Sequence, residues 1–293
     1  MEAWIMVNTK AGRQRARENG ERIRRVFALG GAVTRIAYTD TVQQAQAFLE
    51  KAALEKPDLM VCCGGDGTLS RTVETLEKLG ARLPMGFIPM GTTNDFANSL
   101  GIAKDPARAA EQILHGSSHF LDLGKFEERT FLYVASFGVF TQASYNTDQA
   151  AKNNLGHLAY VLEGIKELSG VKSSHAVVET DQQVLEGDYL FGAISNSTSL
   201  GGVVRLDGEK VDFCDGKIEL LLIKMPKNLL EMNRIAFSLM SGKYDPELIT
   251  FLSVERARFS FQEPVAWSLD GEFVQGDEQV SVTAMPQAME LVY

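Results

Sequence analysis

Residues 61–71, VCCGGDGTLSR, join an apolar run to a glycine-rich turn. The pattern predicts a buried strand that ends at Cys63 and a helix that begins near Thr68. In an open α/β sheet, ligands bind beyond the carboxyl ends of the strands, where glycines let the backbone approach phosphate oxygens. The segment therefore predicts a phosphate-binding loop in a parallel sheet. The simpler alternative is a tight turn in which Asp66 only caps the helix.

This loop differs from two well-known phosphate-binding motifs. No Lys-Ser or Lys-Thr pair follows the glycines, as a P-loop requires, and Asp66 takes the central place of the GxGxxG fingerprint. Phosphates repel a neighbouring carboxylate unless a cation lies between the two groups. We therefore expect Asp66 to contact Mg²⁺, directly or through water.

Strands and helices alternate through the first third of the chain, which is typical of a parallel sheet covered on both faces. The strands predicted there are residues 3–7, 33–38, 58–63 and 85–88, and the helices are residues 13–29, 41–54, 68–79 and 106–115.

After about Asp122 the pattern changes to short strands separated by turns, which predicts a mainly antiparallel β region. Helices are expected near 155–170 and over 227–241, and strands over 131–139, 175–180, 188–195, 203–206, 217–224, 254–261, 265–269, 279–284 and 289–292. The expected turns are Glu263-Pro264, Asp270-Gly271 and Met285-Pro286.

Two more polar, glycine-bearing segments follow predicted strands of the first region. VNTKAGR is residues 7–13, and PMGTTNDFANSLG is residues 89–101. Each could be an ordinary polar loop, and Asn94 or Asp95 could be only a helix N-cap. Because the carboxyl ends of parallel strands meet at one edge of a sheet, three such loops favour one shared ligand crevice.

Composition limits the class of partner. The net charge is −9 and the sequence pI is about 5.1, which argues against a broad nucleic-acid surface. Adjacent Cys62 and Cys63 lie in an apolar run, as reduced cytosolic thiols do. The N-terminus is not a signal peptide, and no stretch is long and apolar enough to span a membrane.

GGDGT, followed by P-x-G-T-x-N-D-F-A, resembles the diacylglycerol kinase catalytic-domain family, particularly its soluble bacterial lipid kinases. Sphingosine kinases and NAD kinases are relatives. The resemblance implies a Rossmann-like, NAD kinase/phosphofructokinase-like nucleotide domain over residues 1–122, rejoined by 287–293, and an antiparallel β-sandwich lipid-substrate domain over 123–286. It places ATP in the cleft between the two domains, so domain closure would assemble the site.

The resemblance also implies site residues. The implied ATP contacts are Asn8, Thr9, Lys10, Ala11, Gly12, Thr39, Gly64, Gly65, Asp66, Gly67, Thr68, Leu69, Ser70, Arg71, Gly91, Thr92, Asn94 and Asp95. Asp270 in WSLDGEFVQG is the first choice for the general base and Glu272 the second, although Asp-Gly alone indicates only a hairpin turn.

A second metal site is implied at VDFCDGK, residues 211–217. Asp212, Asp215 and the carbonyl of Lys217 match a structural Mg²⁺ loop, and oxygen ligands in a turn suit Mg²⁺ or Ca²⁺. Without the resemblance, Asp215-Gly216 would be interpreted as a simple β-turn.

The expected function is an ATP- and Mg²⁺-dependent lipid kinase, with diacylglycerol as the first choice of acceptor. The alternatives are an NAD kinase, or a nucleotide- or lipid-binding regulator without turnover. The family usually has Asn-Glu where this chain has Ser70-Arg71, which keeps the regulator hypothesis open. We expect a cytoplasmic protein, peripheral at the inner membrane face, with a homodimer as one expected assembly. Residues 229–244 are amphipathic, and a helix covering the β domain is favoured over a membrane anchor.

Overall fold

The computed structural model describes residues 1–11, 15–139, 172–200, 204–206 and 211–293. The predicted helix near 155–170 and the candidate residue Gly12 lie outside the described residues. The chain forms two compact units: Met1–Leu121 with Gln287–Tyr293, and Asp122–Pro286.

The first unit alternates strands and helices. Its elements are β1 (Glu2–Asn8), α1 (Ala16–Leu29), β2 (Val33–Thr39), α2 (Val42–Glu55), β3 (Leu59–Gly64), α3 (Asp66–Lys78), β4 (Met85–Pro89), α4 (Asp95–Ser99) and α5 (Pro106–His115). The last residues of the chain return to this unit as the end of β17 (Gln279–Val292).

The four strands β1 to β4 of this unit pair in parallel. The order is β2-β1-β3-β4, and Leu291 of β17 pairs with Met85 of β4. Every residue of β3 is buried, which explains why this strand is apolar throughout instead of alternating. The parallel sheet predicted from the alternating pattern is confirmed.

Local signals fix the helices that cover this sheet. Thr41 and Gln44 form a reciprocal capping box at the start of α2. Asp105 caps α5, and Pro106 follows in the first helical turn. Helix α3 buries Leu69 and Val73, which are one turn apart on a single face.

The second unit is built from antiparallel strands. Its elements are β5 (Ser118–Phe126, which begins in the first unit), β6 (Arg129–Phe131), β7 (Val134–Gly138), β8 (Ser174–Thr180), β9 (Val184–Ser195), β10 (Ser199–Leu200), β11 (Val204–Arg205), β12 (Ile218–Lys224), α6 (Leu229–Ser241), β13 (Ile249–Val254), β14 (Arg256–Phe261), β15 (Ala266–Leu269), β16 (Glu272–Gln275) and the first part of β17.

The core of the second unit is aromatic. Strands run in the order β16-β15-β7-β9-β8-β14-β17, and β12 pairs with both β9 and β13. Trp267 packs against Phe137 at 4.9 Å and against Phe126 at 5.0 Å between ring centroids. Offset or edge-on aromatic pairs of this kind stabilise a core beyond the area they bury. The mainly antiparallel second half is thus confirmed.

Several sequence-based boundaries were wrong. The strand predicted over 254–261 is β14, which begins at Arg256, and the preceding strand β13 was missed. Helix α3 begins at Asp66, two residues before the predicted start. The turn predicted at Met285-Pro286 lies inside β17, where Pro286 falls between the residues that pair with β14 and those that pair with β4.

Candidate functional site

The carboxyl ends of the four parallel strands of the first unit lie at one edge of the sheet. Asn8 pairs with Thr39, Val7 with Cys63, and Gly64 with Pro89. The loops that follow β1, β3 and β4 therefore meet at this edge, where the sequence predicted a shared crevice. Most of the candidate residues of the first unit belong to these loops.

Gly65, and not Asp66, is the N-cap of α3. Its backbone is extended at φ −90° and ψ 177°, and no side chain caps the helix. The interpretation of Asp66 as the cap is therefore wrong, because Asp66 is already the first helical residue. A helix start directs backbone N–H groups and positive potential outward, which suits an anion.

The glycines of this edge serve different purposes. A Cβ on Gly91 would lie 2.7 Å from the Cα of Gly65, so these two glycines let the loops after β3 and β4 touch backbone to backbone. A Cβ on Gly64 would lie 2.6 Å from the Cβ of Thr68. At Gly67, by contrast, no described atom lies within 4 Å of the Cβ position, so the first turn of α3 faces open space.

Asp66 ties the two loops together. Its Oδ2 accepts the backbone N–H of Asp95 at 2.8 Å, and both carboxylates are largely buried. Asn94 precedes Asp95 in the left-handed conformation, at φ 51°. The Asn94 side chain does not cap α4; it accepts the N–H of Gly91 at 3.0 Å and donates to the carbonyl of Gly91 at 2.9 Å.

The loop after β1 is fixed to the same helix start. Asn8 Nδ2 donates to Thr68 Oγ1 at 2.8 Å, and Asn8 Oδ1 accepts the N–H of Lys10 at 3.0 Å. Thr9 N–H donates to the carbonyl of Thr39 at 3.1 Å, which joins this loop to the end of β2. These bonds bring Asn8, Thr9, Thr39 and Thr68 together, as predicted for a common crevice.

The remaining candidate residues of this edge differ in solvent exposure. Lys10, Arg71 and Thr92 are exposed, whereas Leu69 is completely buried. Leu69 therefore can present only its backbone to a ligand. Lys10 and Arg71 are cations close in sequence to the glycine-bearing turns, so they suit phosphate chemistry.

Asp270 occupies the β15–β16 hairpin of the second unit. Asp270 and Gly271 have φ values of 49° and 86°, as a two-residue hairpin turn of type I′ requires. Asp270 Oδ2 accepts the N–H of Leu132 at 2.7 Å, and Oδ1 accepts those of Tyr133 and Val134 at 3.0 and 3.1 Å. Three N–H donors stabilise the negative charge of this buried carboxylate.

Glu272 differs from Asp270 in exposure and conformation. Its side chain is 39% exposed, and its Oε2 lies 4.0 Å from Nη2 of Arg129. The sequence placed both carboxylates on one strand face if extended, but Asp270 lies in the turn and only Glu272 belongs to β16. The backbone donors at 132–134 were missed, because FLYV carries no sign of a role beyond a buried strand.

The loop 211–217 has the two carboxylates that the sequence singled out. Asp212 Oδ1 accepts the N–H of Cys214, and Asp215 Oδ1 accepts that of Lys217, each at 3.0 Å. The loop is anchored from outside by the buried Asp122, whose Oδ2 accepts the N–H of Gly216 at 2.6 Å. Asp122 was noted only as a domain-boundary residue in the sequence.

Glu219 is a buried carboxylate that sequence reasoning missed. It is 0% exposed, and neither carboxylate oxygen has a hydrogen-bond partner among the described residues. Burial, followed by the nearby charge of Asp215, raises the pKa of Glu219 to about 8. The periodic apolar strand KIELLLI hides this residue, because one acid in an alternating strand usually faces water.

The oxygen chemistry of this loop fits a hard cation, although the described residues contain no ready-made group of three acidic, histidine or cysteine ligands. Two carboxylates and a backbone carbonyl are the donors that Mg²⁺ or Ca²⁺ accepts, with water completing the shell. A cation bound at this loop would lower the raised pKa of the nearby Glu219 and favour its ionised form. At the other site, Asp66 offers one carboxylate, which suits an ion held mainly by phosphates.

A parallel α/β domain with glycine-bearing loops at its carboxyl edge, joined to an antiparallel β domain, defines the class of protein. The family model for the diacylglycerol kinase catalytic domain matches residues 2–126. The model for the YegS C-terminal NAD kinase beta sandwich-like domain matches residues 133–293. The chain therefore belongs to the diacylglycerol kinase catalytic-domain family.

Named relatives agree with this family. The chain is 30% identical over 273 residues to diacylglycerol kinase of Bacillus subtilis (strain 168), which covers 92% of this chain and 89% of the relative. It is 31% identical over 238 residues to diacylglycerol kinase of Staphylococcus aureus (strain Newman), covering 80% and 74%. The resemblance inferred from GGDGT and the GTTNDFA segment is confirmed.

Solved structures show the same fold. A crystal structure of a diacylglycerol kinase from Bacillus anthracis str. Sterne matches with a TM-score of 0.76 at 20% identity, covering 100% of this chain and 96% of that one. Another structure from this organism gives a TM-score of 0.84 at 23% identity, covering 100% and 95%.

None of the helices within the described ranges is both long and apolar enough to cross a bilayer.

Proposed function

We propose that this protein is an ATP- and Mg²⁺-dependent lipid kinase whose acceptor is diacylglycerol. The observation that carries the proposal is the meeting of the loops after β1, β3 and β4 at one sheet edge, with open space in front of Gly67. The names of the relatives, diacylglycerol kinases at about 30% identity, support the choice of acceptor.

In the proposed donor site, the triphosphate lies at the start of α3. The N–H groups of the first turn and the helix dipole stabilise its negative charge. Lys10 and Arg71 supply positive charge, and Asn8 and Asp66 keep the three loops in register. Phosphoryl transfer depends mainly on such positioning and charge stabilisation.

Mg²⁺ bound beside Asp66 would neutralise the charge that develops on the phosphates. Asp212, Asp215 and the carbonyl of Lys217 would hold a second, structural ion in the other unit. The oxygen donors and the nearby unpartnered carboxylate of Glu219 support this second assignment.

The proton acceptor in this proposal is Glu272, with Asp270 as the residue that holds its turn. Sequence alone ranked Asp270 first. In the structure, both oxygens of Asp270 accept backbone N–H groups, so a proton there would displace existing bonds. The half-exposed Glu272 has access to a substrate hydroxyl, as a general base needs.

The test is phosphate transfer from labelled ATP to diacylglycerol in mixed micelles, with NAD as a parallel acceptor. We expect transfer to the lipid, and Glu272→Gln should lower kcat by roughly 10²–10⁴-fold with unchanged stability. Glu128→Gln, at an exposed residue near Arg129, is the matched control and should retain activity.

Three outcomes contradict parts of the proposal. Turnover of NAD alone would assign the chain to NAD kinase chemistry. Tight ATP binding without transfer to any lipid would assign it to the regulator class. Full activity of Glu272→Gln would return the proton-acceptor role to Asp270.

A further inference from the structure

Helix α6 has two apolar faces, and only one of them packs on the second unit. The buried residues of the helix are Met232, Ile235, Ser238 and Leu239. The exposed apolar residues are Leu229, Leu230, Phe237 and Met240, at 56, 69, 70 and 62% exposure. At about 100° per residue, these four side chains project within an arc of about 100°, away from the buried residues.

A helix that only covers a β domain needs one apolar face. The buried face of α6 satisfies the covering role that was favoured from the sequence. It leaves unexplained why the solvent side carries two leucines, a phenylalanine and a methionine around the exposed Asn233. Contiguous exposed apolar residues on a soluble protein mark a binding surface more often than chance.

Lysines flank this exposed face at both ends of the helix. Lys224 and Lys227 precede α6, Lys243 follows its C-cap Gly242, and all three lysines are exposed. They stand out in a chain with a net charge of −9.

The acidic side chains on and just after α6 are engaged. Asp245 and Glu247 form ion pairs with Arg234 at 2.6 and 2.7 Å. Glu231 Oε2 accepts the backbone N–H of Lys227 at 2.7 Å. Residues 224–247 thus carry four cations and three carboxylates, a net charge of +1, in a chain whose net charge is −9.

A cavity of about 870 Å³ opens where the helix ends. Lys224 and Lys243 both line it, together with Tyr189, Tyr244 and Phe251. Glu186 lines it as well, and His175 lies 3.6 Å from that carboxylate. Two lysines among aromatic rings suit a phosphate group attached to an apolar body.

We propose that the exposed face of α6, with Lys224, Lys227 and Lys243, docks on an anionic phospholipid bilayer. Leu230, Phe237 and their neighbours enter the interface between headgroups and acyl chains, and the cavity takes a headgroup phosphate. Amphipathic helices with basic flanks bind membranes in this way, and long lysine side chains reach the headgroups. The inference rests on the proposed function, because a lipid kinase must reach an acceptor held in a membrane.

The test is co-sedimentation of the full chain with vesicles, without ATP and without diacylglycerol. Vesicles of phosphatidylcholine with phosphatidylglycerol should bind the wild type, and phosphatidylcholine alone should bind it poorly. Phe237→Ser should lower the partition coefficient about tenfold, since it removes a large apolar side chain from the interface. Leu230→Ser is the second variant, and Leu29→Ser, 90% exposed in the other unit, is the matched control.

The lysines are tested separately. Lys224→Ala and Lys243→Ala should each weaken binding about fivefold at low salt, and this difference should shrink as salt is raised. Both positions are exposed, so the variants should fold like the wild type.

Two results would overturn the inference. One is equal vesicle binding by the wild type and Phe237→Ser. The other is a wild type that does not bind anionic vesicles but forms a dimer, while Phe237→Ser is a monomer. That result would make this face an interface between two copies of the chain. Kinase activity measured in detergent micelles tests the proposed function separately from membrane docking. Vesicle binding without kinase activity would support docking through α6 and contradict the proposed function.

Discussion

Two parts of the chain differ in where they place negative charge. They are the carboxyl edge of the parallel sheet in the first unit and the carboxylate-bearing turns of the second unit. The edge uses bare backbone: Gly65 touches Gly91, and Gly67 faces open space at the start of α3. The turns of the second unit carry the carboxylates themselves, and Asp270 holds three backbone N–H groups. In the proposed function the edge receives an anion, whereas Asp270 of the second unit uses its own negative charge to hold backbone N–H groups.

This difference teaches where side chains can be changed. At the glycines of the edge, the proposed function depends on the absence of side chains, so the harmful substitutions there are additions. In the turns of the second unit, stability depends on particular carboxylate oxygens, so the harmful substitutions are those that remove these oxygens. Glu219 breaks the pattern of the second unit, because its buried oxygens hold no described donor.

The largest expected effect is that of Asp270→Ala. The change leaves the N–H groups of Leu132, Tyr133 and Val134 without their acceptor in a buried site. We expect a loss of roughly 3–9 kcal/mol in the free energy of unfolding of the second unit, at about 1–3 kcal/mol for each of the three lost partners. Urea unfolding followed by Trp267 fluorescence in a Trp4→Phe background measures this unit, since the chain has 2 tryptophans.

Asp270→Asn is the matched comparison, because asparagine tolerates the positive φ and keeps one carbonyl oxygen as an acceptor. Its loss of stability should be clearly smaller than that of alanine. If the Asp270→Ala and Asp270→Asn variants unfold at the same urea concentration as the wild type, the carboxylate does not hold the backbone of residues 132–134.

An intermediate effect is expected from Gly91→Ala. The new Cβ would lie 2.7 Å from the Cα of Gly65, and a backbone neighbour cannot move aside as a flexible side chain can. We expect a loss of about 1–3 kcal/mol in stability and weaker ATP binding, because the two loops are pushed apart. Thermal unfolding and calorimetric titration with ATP measure the two effects.

Gly67→Ala is the contrasting variant in the same edge. It meets no described atom within 4 Å, and alanine favours a helix, so stability should be unchanged or higher by up to about 1 kcal/mol. Binding of ATP should nevertheless weaken, because the methyl group enters the space assigned to phosphates. Unchanged ATP affinity would move the phosphate site away from the start of α3.

Much of the first unit could be predicted from the sequence, because parallel strands and glycine turns leave local signals. The helix starts at Thr41 and Asp105 and the strand ends at Asn8 and Gly64 follow from cap and turn chemistry. The interpretation of Asp66 as a cap was wrong because an extended glycine can occupy that position without a side-chain bond.

The second unit was less predictable, because its site depends on contacts between distant parts of the chain. The bonds from 132–134 to Asp270 join residues more than 130 positions apart, and no local pattern marks the donors. The burial of Glu219 likewise depends on β9 and β13, which pair on either side of β12. Strand β13 itself was missed, so its neighbours could not be inferred.

The smallest expected effect concerns the 211–217 loop and Glu219. If a divalent cation joins the carboxylates of this loop, Mg²⁺ or Ca²⁺ should raise the melting temperature of the wild type by roughly 2–6 °C over EDTA, a gain of about 1–2 kcal/mol. Asp215→Asn should abolish that rise, whereas the exposed Asp188→Asn should keep it. Glu219→Gln should raise the melting temperature in EDTA at neutral pH, because glutamine is neutral without the proton that Glu219, with its raised pKa, must take up on folding, and it should shrink the response to the cation. A Glu219→Gln variant that melts below the wild type in EDTA would show that the carboxyl group of Glu219 already makes stabilising contacts without a metal. Glu219 would then resemble Asp270, whose carboxylate is stabilised by hydrogen bonds.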